Sequence, residues 1–157
     1  MIYTPLTQKA ACIAYAAHAG QTDKAGMPYI FHPYHVAEQM HDETEVCVAL
    51  LHDVAEDTEI SLSELEKEFP ARIVASLKLL KHEAGEDYLD YIRKIKADPV
   101  ARAVKIADLK HNSDLTRLRQ GTSAYKEAEI RCKKYAQALA ILAENAGASD
   151  FESNGKR

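Results

Sequence analysis

The chain has 157 residues, of which 46% are hydrophobic and 28% charged, enough for a single domain with a real core. Its 20 Lys and Arg against 24 Asp and Glu leave a net charge of −4 with no basic run, which argues against nucleic-acid and anionic-membrane partners. No stretch approaches the ~18 apolar residues of a membrane span, the N-terminus MIYTPLTQKAA lacks the charged and apolar regions of a secretion signal, and the unclustered Cys12, Cys47 and Cys132 read as reduced core thiols of a cytoplasmic protein.

Helical periodicity dominates, so the expected fold is all-α, a single bundle of about eight helices. Thr4 caps the first helix with Pro5 at its first position, Gly20 ends it, and Leu6, Ala10, Ile13, Ala14 and Ala17 form its core stripe. A Gly- and Pro-rich loop, GQTDKAGMPYIFHP, leads to a short helix from Pro33 to about His41. Thr44 then caps an apolar helix that runs through Val46–Leu51 into His52-Asp53. Ser61 and Glu64 form a capping box for 61–69, and Pro70 opens a helix to about Glu83. Gly85 breaks the chain before 87–97, and Asp98-Pro99 starts the helix that carries Asp108. The last helix spans roughly 123–146. Its stripe of Tyr125, Ala128, Cys132, Tyr135, Leu139 and Leu142 fits either packing on the same domain or a homodimer seam. No repeat or linker divides residues 1–147, and 148–157 form a polar tail.

The run LLHDVAEDT carries the chemistry. It places His52, Asp53, Glu56 and Asp57 directly after a buried apolar stretch, where charge is costly unless paired or bound to a metal. On an ideal helix these four positions share one arc of roughly 140°. FHP adds His32 from the loop, and VKIADLKHN adds Asp108 from another apolar helix. Together His32, His52, Asp53 and Asp108 make a hard N/O ligand set for a divalent ion such as Mn, Fe, Zn or Mg. Such an ion lowers the pKa of the water it binds, and Glu56 and Asp57, one turn on, are placed for general acid and base work. Asn112 and Lys105 flank Asp108 by one turn on the same helix, and Lys24 lies in the loop before His32; all three are candidate contacts to a phosphorylated ligand. His18, His35, His41, His82 and His111 have no such partners and read as structural or exposed.

GQTDKAGMPYIFHP, LLHDVAEDT and VKIADLKHN resemble, in order and spacing, three motifs of the HD-type hydrolase domain of RelA/SpoT proteins and of the small stand-alone alarmone hydrolases, including the metazoan SpoT homologue. The resemblance runs from about Ala11 to Leu118. It implies an all-helical fold and one divalent metal, usually manganese, held by His32, His52, Asp53 and Asp108. It also implies hydrolysis driven by Glu56 and Asp57, with Asn112 and Lys24 near the nucleotide. The implied reaction converts guanosine tetra- or pentaphosphate (ppGpp or pppGpp) to GDP or GTP and pyrophosphate. Two departures stand out. Asp23 occupies a position where the family usually has Arg, an inverted charge beside the expected polyphosphate, and KHEAGEDYLDYIRKIKAD replaces an Arg-containing helix. They keep open hydrolysis of another nucleotide, such as NADPH or a nucleoside phosphate. A non-catalytic nucleotide-binding module is the third reading, against which the intact set of acidic and imidazole residues argues.

Overall fold

The computed structural model describes residues 1–144. Thr4 and Thr7 cap each other reciprocally at the start of α1 (Pro5–Ala17), with Pro5 where no amide hydrogen is required. α2 (Phe31–Glu38) begins two residues before the expected Pro33 and ends before His41. Pro33 therefore sits inside the first turn, where its missing N–H leaves no bond unmade. His32 is thereby a helical residue and not part of the loop.

α3 (Glu43–Leu51) is capped by Asp42, whose carboxylate accepts the Glu45 amide at 2.8 Å, and not by Thr44. Aspartate is at least as good an N-cap as threonine, and it takes over two residues earlier. The helix then breaks: α4 (Val54–Asp57) is a separate turn, which makes nine α-helices among the described residues where about eight were expected. α5 (Leu62–Glu68) has the Ser61–Glu64 capping box. α6 (Ala71–Leu80) stops short of Glu83 because Lys81 turns to extended backbone, and the Tyr91 hydroxyl donates to the freed Leu80 carbonyl. α7 (Tyr88–Lys96) and α8 (Pro99–Asn112) start at the caps Asp87 and Asp98. A 3-10 turn (Leu115–Arg117) leads to α9 (Ser123–Ala143), capped by Thr122. The 148–157 tail and the expected end of the last helix at 146 lie outside the described residues.

α3 is the centre of the bundle. Val46 to Leu51 are all at most 1% exposed, and α3 packs against α1, α2, α6 and α8. α9 lies on α7 and α8, with Ala128, Ala138 and Leu142 buried and Tyr135 and Leu139 packed against the core. Its stripe thus faces its own domain. Cys47 is buried and Cys132 half-buried, whereas Cys12 is exposed and belongs to no core. Among the described residues no strand forms, only an isolated bridge between Thr22 and Pro28.

Candidate metal centre

The break between α3 and α4 resolves a geometric conflict. Adjacent residues on an ideal helix point ~100° apart, so from a continuous helix His52 and Asp53 can both face one ion only if it lies between their directions. His52 instead closes α3, and Asp53 starts α4 with ψ near −8°, which brings His52 Nε2 to 3.1 Å from Asp53 Oδ2. Nδ1 of His52 donates to the Ala49 carbonyl at 2.7 Å. That bond fixes the ring and turns Nε2 toward Asp53. Nε2 is buried and makes no hydrogen bond.

His32 enters from α2, buried, with Nε2 3.5 Å from Asp53 Oδ2 and 3.2 Å from Asp108 Oδ1. Candidate ligand atoms of His32, His52 and Asp53 lie within 4.8 Å of one another. Asp108, buried in α8, joins this cluster through His32. Lys105 Nζ donates to its Oδ2 at 2.8 Å and Asn112 Nδ2 to its Oδ1 at 2.5 Å, the i−3 and i+4 partners on the same helix face. Burial works against ionising Asp108, yet the Lys105 charge beside it holds the carboxyl far below its usual range. Lys105, expected to face a phosphate, is therefore engaged in orienting a carboxylate.

The donor set fits a divalent cation. Burial opposes a charged His52, but the Asp53 and Asp108 carboxylates overcome it and raise its pKa to about 9. The site draws positive charge, a proton on His52 in the metal-free chain and a divalent cation in its place, and two imidazoles with carboxylates are hard and borderline donors suited to that ion's shell.

Glu56 and Asp57 lie on α4 and are more exposed than the cluster behind them. Partial burial, and then the Asp53 charge, push both carboxyls up from their ordinary values. Gln21 steadies this turn: its Oε1 accepts from His18 Nδ1 at 2.8 Å, and its Nε2 donates to the Asp57 carbonyl at 3.1 Å. His18 is thus buried and not exposed.

Beside the cluster opens a cavity of about 310 Å³ lined by Lys24, Tyr29, His32, Asn112, Arg117, Arg131 and Tyr135, among others. Tyr29 and His32 join it to the cluster, since the Tyr29 hydroxyl donates to Asp53 Oδ2 at 2.6 Å. Burial and then the Arg131 charge lower the Lys24 pKa. Asp23 does not present an open negative charge to this cavity. Its Oδ1 accepts the Ala25 and Met27 amides at 2.8 and 2.9 Å, and its Oδ2 accepts from Arg117 Nη2 at 2.6 Å. Asp23 lines the cavity as a paired carboxylate that organises its own turn, which Gly26 completes at φ +82°.

Residues 10–138 match the HD domain profile. The chain belongs to the HD domain family. It is 37% identical over 115 residues to a guanosine-3′,5′-bis(diphosphate) 3′-pyrophosphohydrolase of Haemophilus influenzae, covering 64% of this chain and 17% of that one. It is 33% identical over 120 residues to the bifunctional (p)ppGpp synthase/hydrolase SpoT of Escherichia coli (67% and 17%) and 35% identical over 150 residues to a GTP pyrophosphokinase of Streptomyces antibioticus (87% and 17%). The chain spans about a sixth of the length of these curated relatives. A solved structure of a metazoan ortholog of SpoT, described as hydrolysing ppGpp, superposes with a TM-score of 0.72 at 23% identity, covering 93% of this chain and 90% of that one. The fold is shared.

Within this HD domain, sequence reasoning missed Tyr29, His111, Arg117 and Arg131. His111 carries a local signal, three residues after Asp108 on the same helix face, and its ring meets that of His32 edge to edge, with centroids 4.8 Å apart. Tyr29 precedes His32 by one turn. Arg117 and Arg131 carry no local signal, because only the packing of the 3-10 turn and α9 brings them to the cavity.

Proposed function

We propose that this chain is a metal-dependent hydrolase that converts ppGpp and pppGpp to GDP and GTP with release of pyrophosphate. One observation carries the reading: a buried His52 Nε2 without a hydrogen bond, within a His32–His52–Asp53 cluster that adjoins a nucleotide-sized cavity bearing Lys24 and Arg131. The names of the relatives supply the substrate. His32, His52, Asp53 and Asp108 would hold one divalent ion, taken to be manganese, which supplies Lewis acidity and acidifies water when bound.

The residues then divide the work. Lys24 and Arg131 offer charge to phosphate oxygens, Asn112 offers polar contacts, and Tyr135 offers a flat face to a base or sugar. Hydrolysis breaks the bond between the 3′ oxygen and the diphosphate. Water adds its oxygen to the departing pyrophosphate, and the 3′ oxygen gains a proton. Glu56 and Asp57, whose raised pKa values suit groups that both take up and give back protons, carry these transfers. The test is incubation of the Mn²⁺-loaded protein with ppGpp, pppGpp, NADPH, deoxynucleoside triphosphates and nucleoside monophosphates. GDP and pyrophosphate from ppGpp are expected. Untouched ppGpp beside turnover of another nucleotide would replace the guanosine assignment with a broader one. Nucleotide binding without any turnover would leave a non-catalytic module.

A further inference from the structure

His111 sits between two groups whose chemistry decides its state. Arg117 has only donors on its guanidinium, and its Nη1 lies 3.2 Å from His111 Nδ1 and 3.1 Å from the His111 carbonyl. Nδ1 of His111 is therefore an acceptor, with one lone pair that Arg117 shares at the longer range. The same atom lies 2.6 Å from His32 Nδ1. Two acceptors cannot make that contact, so His32 Nδ1 bears a proton and donates it. The consequence reaches the other side of the ring. With Nδ1 committed to His111, Nε2 is the nitrogen left for a cation, and it faces Asp53 and Asp108 at 3.5 and 3.2 Å. At the far end, Arg117 Nη2 is held at 2.6 Å by Asp23 Oδ2, while Asp23 Oδ1 accepts the Ala25 and Met27 amides.

We infer that Asp23, Arg117 and His111 form a relay that fixes the metal ligand His32 in its Nε2-binding tautomer, with the loop residue Asp23 as its anchor. The inference rests on the metal site proposed above but not on the substrate. Arg117 also lines the nucleotide cavity, so the relay joins the loop, the cavity wall and the ligand.

Mn²⁺ affinity, measured on the metal-free protein by competition with a chelator and by the Mn²⁺ electron paramagnetic signal, reads this out without any turnover. His111→Ala should weaken Mn²⁺ binding by about 10–100-fold, the usual scale for a lost hydrogen bond to a ligating imidazole. His111→Asn, whose Oδ1 can accept near the position of the lost Nδ1, should recover most of that loss. Arg117→Ala and Asp23→Asn should weaken Mn²⁺ by a smaller factor, and the losses of Arg117→Ala and His111→Ala should not multiply in the double variant, because one chain carries both. Circular dichroism and melting of each metal-free variant separate these effects from misfolding. If folded His111→Ala binds Mn²⁺ within twofold of the parent, or His111→Asn binds as poorly as the alanine variant, the relay is wrong. Absence of any Mn²⁺ binding by the parent would instead remove the metal site itself.

Discussion

At the residue scale, function and stability pull against each other at Glu56. Burial and the Asp53 charge raise its pKa in the folded chain. A folded value above the unfolded one favours the fold while the carboxyl is protonated, and that contribution is lost as pH rises through the folded value. At neutral pH the ionised Glu56 therefore destabilises the metal-free fold. Glu56→Gln should melt slightly higher than the parent at pH 7 without metal, with the gap closing near pH 4, while turnover on the proposed substrate falls by about 10²–10⁴-fold. Thermal melts at the two pH values and a rate assay check this. A variant that keeps full turnover, or melts lower at pH 7, contradicts the role assigned to this carboxylate.

At the element scale, α8 is the beam that carries Asp108, and its first turn is anchored by Asp98. The Asp98 carboxylate accepts the Ala101 amide at 2.8 Å, pairs with Arg72 at 2.5 Å and accepts from Ser76 Oγ at 3.1 Å. Burial opposes its ionisation, but the Arg72 bond and the cap amide outweigh it and lower its pKa. A depressed folded pKa means the stability is present above the unfolded value of 3.8 and lost as pH falls through the folded one. Asp98→Ala should cost about 0.5–2 kcal/mol from the cap alone. Asp98→Asn keeps a capping oxygen and should cost less. Urea melts from pH 7 down to pH 3 should show the parent converging on Asp98→Asn in acid, and parallel curves would refute this account of α8.

For the whole molecule, the core and the site share one helix. Leu50 is 1% exposed in α3, and the same last turn supplies the Ala49 carbonyl that orients His52. Leu50→Ala should cost about 2–5 kcal/mol through lost burial and a residual cavity, a large part of the about 5–15 kcal/mol that holds a domain of this size together. Binding that is selective for the folded state offsets such a loss, by about 2.7 kcal/mol at a hundredfold excess over Kd. Mn²⁺ at that excess should therefore raise the melting temperature of both the parent and Leu50→Ala. Failure of Mn²⁺ to stabilise either would argue against a preformed cation site at the α3–α4 break.

The residues that could be read from the sequence act over short distances along the chain. The Thr4, Ser61–Glu64 and Asp98 caps work within three residues, and the helical stripes repeat within four, so the all-α class followed from local chemistry. The residue types at His32, His52, Asp53 and Asp108 pointed to one polar cluster for the same reason: charge and imidazole beside apolar helix demand a partner. Three features were decided elsewhere. The break between His52 and Asp53 interrupts what local periodicity reads as one helix. His111 meets His32 across 79 residues of chain, and Arg117 meets Asp23 across 94. Those meetings depend on how α2 and α8 pack on α3 and where the chain leads after α8. No local pattern specifies that convergence, because burial of the α3 surface drives it and is indifferent to which polar groups arrive together at the rim. The sequence by itself determined which chemistry was available. Only the tertiary structure decided that Asp23 is paired and which histidine contacts His32.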